Sequence, residues 1–200
     1  MSETNKRTIA AYNAQVQGYI ANTPHEISRT ARVWLDTSLE GLSSDARILE
    51  IGSGFGHDAV YIEQKGYSVE RTDVTPGFVN LLRSQGHAVK QLNVLTDKIA
   101  GPYELVIADA VFHHLTRAEA ATASRNVLGA LGIGGRFAVS LRLGLQEGWS
   151  DEKLGVSRYF THWERPDIEA VVRDVGFASI VATDGDKVNF PWLHLIAHKE

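Results

Sequence analysis

The stretch Ile48-Leu49-Glu50-Ile51-Gly52-Ser53-Gly54-Phe55-Gly56-His57-Asp58-Ala59-Val60 limits the possible folds of this chain more than any other. A short apolar run enters a loop with glycine at every second position, and a helical pattern follows at once. Glycine accepts positive φ and lets a ligand come close where a Cβ would collide. A bend of this kind between Ile51 and Asp58 is expected to leave backbone amides free for a ligand. Asp73, about twenty residues beyond Gly52, closes the next predicted strand, where a carboxylate accepts hydrogen bonds from vicinal ribose hydroxyls. Loop and acid together predict a nucleoside derivative lying over the carboxyl ends of parallel strands. No G-K-[ST] follows, so this is not a Walker loop, and the third glycine of a dinucleotide fingerprint would fall on His57.

The rest of the chain supports that placement. Ile9, Tyr12, Val16, Tyr19 and Ile20 form one apolar stripe at helical spacing. Thr23-Pro24-His25-Glu26 reads as a capping box opening a second helix through Trp34 and Leu35, with Gly41 as its stop. Both helices precede the first strand and are expected to lie across one end of the sheet. From Ala46, apolar runs alternate with helical segments: strands at 48–51, 69–73, 89–92, 105–108 and 137–139, and helices from about Asp58, Thr75, Thr116 and Asp167. Two more strands flank Asp184-Gly185-Asp186. Such alternation predicts parallel βαβ units in an α/β fold. A single domain is expected: a helical cap (1–45), a binding core (46–142), a lid (143–163) and a C-terminal helix with strands (164–200).

Composition removes several classes. The chain has 200 residues, a formal net charge of -4 and no cysteine. A disulfide framework, a thiolate metal site and a cysteine nucleophile are thereby excluded. The mild acidity argues against nucleic acid as partner. The N-terminus lacks a signal-peptide pattern and no apolar run is long enough to span a bilayer, so a cytoplasmic protein without membrane contact is expected. No metal is expected: no H-E-x-x-H occurs, and the adjacent His113 and His114 should diverge by about 100° on a helix.

The segment from Ile48 to Val60 resembles motif I of the class I S-adenosylmethionine-dependent methyltransferases, and the likeness extends over most of the chain after Ala46. It implies a Rossmann-like three-layer αβα sandwich. The sheet would have seven strands, mostly parallel with an antiparallel last strand, its carboxyl edge capped by the N-terminal helices. It implies S-adenosyl-L-methionine as cofactor. Gly52, Ser53, Gly54 and Gly56 would form its loop, with Asp73 and Val74 at the ribose and Glu50 near the methionine amino group. Gln91-Leu92-Asn93-Val94 resembles the motif whose side chain and following amide meet the adenine, which points to Asn93 and Val94. Asp109 and Ala110 end the fourth strand, where the family places the methionine moiety and acceptor. Leu131-Gly132-Ile133-Gly134-Gly135 is similar to the family's turn before strand five, with Ile133 where proline is usual. More narrowly, the chain resembles small bacterial methyltransferases of the methyltransferase-11/25 domain type. The counterparts are Tyr12 and Tyr19, His57-Asp58, Phe112-His113-His114, and Arg158-Tyr159-Phe160-Thr161-His162-Trp163. His57 departs from the usual arginine.

For the acceptor, His114 and then His113 are the candidate bases, since imidazole titrates near neutrality. Arg142, after strand five, is placed to pair with an acceptor carboxylate or phosphate. Tyr12, Tyr19, Tyr159 and Trp163 are candidate walls of a pocket for a small molecule. Three other readings share the fold. A nicotinamide-dependent oxidoreductase would want glycine at His57. A nucleic-acid methyltransferase would carry [DNS]-P-P-[FYW] where Asp109-Ala110-Val111-Phe112 stands. A non-catalytic cofactor-binding protein would keep the loop without turnover. Acceptor identity and oligomeric state are not encoded legibly.

Overall fold

The computed structural model describes residues 2–187 and 190–200. Strand β1 (Ile48–Ile51) is buried at every position and forms the axis of the sheet. On one side it pairs in parallel with β2 (Val69–Asp73), which carries β3 (Val89–Gln91). On the other it pairs with β4 (Tyr103–Ala108), followed by β5 (Leu131–Arg142). Antiparallel β9 (Trp192–His198) and then β8 (Ser179–Asp184) complete the order β3-β2-β1-β4-β5-β9-β8. This is the seven-stranded, mostly parallel sheet expected.

Alternate residues of a strand face opposite sides, and each side has its own core. Leu49 and Ile51 pack with Val106, Val139 and the inner faces of α6 (Arg117–Ala130) and α7 (Arg165–Val175). Ile48, Leu105 and Ile107 pack under α3 (Arg29–Leu39) and α4 (His57–Glu63). Glu50 shares the second face, beside its register partner Arg71. α5 (Pro76–Ser84) lies on β2 and β3, with proline in its first turn. Thr116 and Glu119 form the predicted capping box of α6.

The N-terminal region departs from the sequence reading. Helices α1 (Glu3–Ala14) and α2 (Val16–Ala21) precede a non-helical stretch over 22–28. Thr23 does not cap α3: its hydroxyl donates to the Tyr19 carbonyl at 2.6 Å, satisfying the C-terminus of α2 instead. Ser28 caps α3, accepting from the Ala31 amide at 3.2 Å. α1 crosses the carboxyl end of the sheet, whereas α3 lies flat against its face through Trp34 and Leu35.

Residues 143–163, expected as a lid, hold an antiparallel pair, β6 (Glu147–Ser150) and β7 (Arg158–Thr161). β5 is far longer than the predicted 137–139. It starts directly after α6, and its pairing with β4 jumps from Leu131 to Arg136, so the glycines between them bulge out of the ladder. No helix among the described residues is long and apolar enough to cross a membrane.

Candidate functional site

A cavity of about 760 Å³, including the part open to solvent, lies over the carboxyl ends of β1, β2 and β4. Its floor carries Gly52, Gly54, Asp73, Val74, Asp109 and Ala110. Asn93 and Val94 lie at one end, and Tyr12, Tyr19 and His114 at the roof and opposite wall. Eleven of the sequence-predicted residues therefore line one space.

The loop uses its amides differently from the expectation. Gly52 and Ser53 both donate to the Thr72 carbonyl at 2.8 Å, and Gly56 donates to Ser53 at 2.7 Å. The Gly54 amide donates to Asp73 Oδ2 at 2.9 Å. Three of these four amides are held by β2, which runs alongside the loop with acceptors at the right height, and the Gly56 amide closes the loop on itself. What the glycines supply is space. Gly54 has φ +53°, and a Cβ there would meet nothing within 4 Å, so its open side faces the cavity it lines. Gly52 has φ +76°, and a Cβ there would run into the Val111 side chain.

Asp73 is buried, with Oδ1 accepting from the Thr75 amide at 2.7 Å. Each carboxylate oxygen has a second lone pair, so the group ties down the loop and can still accept from a ligand. Burial raises its pKa above the usual range, opposed by the Thr75 and Gly54 amides.

A second acidic group lies at the end of β1 and β4. Burial, and then Asp109 and Asp73, push Glu50 up to about 7 against the pull of Ser53 and Arg71. Its Oε2 is buried without a hydrogen-bond partner. Asp58, in the first turn of α4, is held well above the ordinary carboxylate range by burial and by Asp109 and Glu50. Such a group of carboxylates suits a cationic moiety. Ser140 donates to Asp109 Oδ1 and accepts from the Ala110 amide at 2.8 Å. Ala110 takes φ +54°, a strained setting for a residue with a Cβ. The sequence reading missed Ser140, although its alternation within β5 was the available signal. It also left Asp58 without a role.

His114 Nδ1 lies 2.7 Å from the Tyr159 carbonyl, so this nitrogen carries the proton. Nε2 then accepts from the Tyr12 hydroxyl at 2.7 Å, and Arg158 Nη1 donates to the same hydroxyl at 3.1 Å. Burial, together with the nearby Arg158, Arg142 and Lys153, lowers His114 to about 3 although the Tyr159 carbonyl opposes it. Burial first, then His114 and Arg142, holds His113 well below its usual value. Both rings are neutral at pH 7. The two rings do not diverge: their Nε2 atoms are 3.1 Å apart, because residues 112–114 form a 3-10 turn rather than a regular helix. Among the described residues no group of three or more His, Asp or Glu could hold a metal ion.

Several candidates lie elsewhere. Trp163 is fully buried in the core under α7 and borders no cavity among those described. The Tyr159 side chain turns outward onto Trp149 and Glu147, and only its backbone reaches the site. Glu50, Ser53 and Gly56 lie behind the cavity wall and not on it. Arg142 borders a second cavity of about 470 Å³ with Trp149, Phe160 and His162. Asn93 uses its side chain on Asn5 of α1 at 2.9 Å and on the Leu95 amide at 3.0 Å. Asn5 and Thr8 of α1, which also line the main cavity, were not anticipated.

A nucleoside-sized cavity, a glycine that leaves its floor open and a terminal acid on β2 define the class of site. Residues 49–139 match the methyltransferase domain family. The matched stretch runs from β1 into β5 and contains every loop and strand end on the cavity floor. No curated protein matches the chain in sequence. Solved structures share its fold at low identity. One is a 1,6-didemethyltoxoflavin-N1-methyltransferase from Burkholderia thailandensis, with 1,6-didemethyltoxoflavin and S-adenosylhomocysteine bound. It is 16% identical at a TM-score of 0.74, over 100% of this chain and 91% of that one. A TehB-like S-adenosylmethionine-dependent methyltransferase from Corynebacterium glutamicum is 18% identical at 0.68, over 96% and 98%. A phosphoethanolamine N-methyltransferase from Haemonchus contortus is 12% identical at 0.75; this chain spans 60% of its length and is covered in full.

Proposed function

We propose that this chain transfers the methyl group of S-adenosylmethionine to a small-molecule acceptor. The observation that carries the reading is the open side of Gly54 above the Asp73 carboxylate. Asp73 and Val74 hold the ribose, and Asn93 and Val94 border the adenine. Asp109 lines the amino-acid end with Glu50 and Asp58 behind it, and the unpaired Glu50 oxygen suits an ammonium group. The bound cofactor supplies an electrophilic sulfonium methyl. The protein's main contribution is alignment, which is worth about 7–11 kcal/mol in well-oriented reactions, against about 3–5 kcal/mol for a general base.

Tyr12, Tyr19 and His114 face the acceptor. Because His114 Nε2 is occupied by the Tyr12 hydroxyl and burial lowers the ring to about 3, His114 positions Tyr12 against the acceptor and does not take its proton. Arg158 fixes the tyrosine from the other side. His113 supports His114 from behind and does not touch the acceptor. The acidic chain and the absence of a [DNS]-P-P-[FYW] motif favour a small acceptor over nucleic acid.

Calorimetry with S-adenosylhomocysteine and with NAD tests the assignment. The wild type is expected to bind the first and not the second. Asp73→Ala should weaken binding by about 10–100-fold, the worth of a charge-assisted hydrogen bond. Gly54→Ala should weaken it comparably while leaving the circular dichroism spectrum unchanged. Binding of NAD alone, or unaltered affinity in both variants, would overturn the reading.

A further inference from the structure

Two guanidinium groups are deeply buried in this protein, and they are treated differently. Arg71, 5% exposed, forms a two-pronged pair with Glu63 at 2.7 and 2.6 Å. Arg158, only 2% exposed, forms no ion pair with a carboxylate among the described residues. Its hydrogen bonds go to the Tyr12 hydroxyl and the Glu152 carbonyl, and its Nε is unpaired. A buried cation without a counter-charge is costly unless something outside the chain answers it.

Arg158 is not alone. The side chain of Arg142, at the carboxyl end of β5, makes no hydrogen bond or ion pair among the described residues, and its Nε is buried. Its guanidinium carbon lies 4.5 Å from the Phe160 ring centre and 4.3 Å from that of Phe190. Arg158 lies 5.0 Å from the same Phe160 ring, so the two cations share one aromatic neighbour. Lys153 adds a third charge. Its ammonium sits 4.4 Å from the Tyr19 ring and donates to Thr23 Oγ1 at 2.7 Å. Its backbone takes φ +73°, a strained conformation for lysine. Burial, then Arg158 and Arg142, lowers its pKa to about 8.

The nearby acids do not neutralise this group. Glu147 is engaged by the Tyr159 hydroxyl and by Arg117 at 3.7 Å. Glu152 is exposed; it borders the second cavity with Arg142 and favours that cation at a distance, without an ion pair among the described residues. Arg158 and Lys153 therefore lie against Tyr12 and Tyr19, which line the main cavity, and Arg142 joins them through Phe160 from the second cavity, in a chain whose net charge is -4. Arginine guanidinium groups and an ammonium on aromatic faces form a receptor for an oxyanion.

We propose that Arg142, Lys153 and Arg158 form an oxyanion subsite, and that the methyl acceptor carries a carboxylate or phosphate group. This rests on the methyltransferase reading above, with the anion docking beside the Tyr12–Tyr19 wall, between the acceptor end of the main cavity and the second cavity that Arg142 borders. The subsite orients the acceptor through a group other than the atom methylated.

The test is calorimetric titration with inorganic phosphate, and separately with malonate, at constant ionic strength set by sodium chloride. Each titration is run with and without saturating S-adenosylhomocysteine. At least one anion should bind the wild type at millimolar concentration, and the stronger of the two names the acceptor's group. Arg142→Gln and Lys153→Gln should each weaken that binding several-fold, and Arg158→Gln at least tenfold, while Lys98→Gln at an exposed distant site changes nothing. If Arg158→Gln fails to fold, the other two variants decide. Retained S-adenosylhomocysteine affinity in the variants shows that the cofactor end is intact. Absence of anion binding in the wild type, or equal binding in all variants, overturns the subsite. Failure of S-adenosylhomocysteine to bind overturns the methyltransferase reading instead, since the anion titration without it still reports on the subsite.

Discussion

Glu50 is the residue where burial and charge oppose each other most directly. Its carboxyl lies on the inner face of β1 with one oxygen unpaired, and its pKa is pushed up to about 7. An acid whose folded pKa exceeds its unfolded value holds a proton that the unfolded chain releases. Its contribution to stability is therefore present at low pH and declines as pH rises from about 4.5 through about 7. A ligand ammonium favours the carboxylate, so binding near neutrality should expel the proton. Affinity for S-adenosylhomocysteine is expected to tighten by about tenfold between pH 6 and 8, with Glu50→Gln flattening that slope. Calorimetry in buffers of different ionisation enthalpy reads the proton directly. A pH slope that survives in Glu50→Gln would assign the proton elsewhere, with Asp58 next in line. Glu50 was legible because it stands within a strand-to-glycine pattern. Asp58 was not, because its partner Asp109 is 51 residues away in the chain and adjacent only across the strand ends.

α1 crosses the carboxyl end of the sheet as expected, but sequence patterning did not show how it is attached. Its apolar stripe runs through Ile9 and Tyr12, yet its buried residues are Asn5 and Thr8. Polar contacts hold it in place: Asn5 to Asn93, Thr8 Oγ1 to the Tyr159 amide at 3.0 Å, and Asn13 Oδ1 to the Gly77 amide at 2.8 Å. An element attached by polar contacts over a cavity opens more readily than one anchored in a core. Since α1 roofs the site, entry of a nucleoside requires it to move. Limited trypsin digestion should cut at Lys6 and Arg7 several-fold more slowly with S-adenosylhomocysteine present. Identical cleavage with and without it would show that α1 does not gate the site. The same limit of local reading explains Thr23. Its hydroxyl can satisfy either the helix behind it or the one ahead, and chain geometry selected the one behind.

For the whole molecule, the two cores lie on opposite faces of the same strands, and α3 enters one of them directly. We propose that cap, core and lid unfold as one cooperative unit. Saturating S-adenosylhomocysteine at about 100 times its Kd should add about 2.7 kcal/mol, moving a single transition by roughly 5–11 °C for a chain of this size. A separate early transition for the N-terminal helices in scanning calorimetry would contradict that unity. The alternation of apolar runs, the spaced glycines and Asp73 were enough to specify the α/β class, the end of the sheet that binds and the nucleoside class of ligand. Those signals are local, since period, φ requirement and strand termini are each written in neighbouring residues. Packing alone settled that the loop's amides are spent on β2, that His113 and His114 converge, that Trp163 belongs to the core, and that Arg158 lies buried without an acid. Each of these depends on which distant backbone or charge arrives alongside, and no window of adjacent residues carries that information.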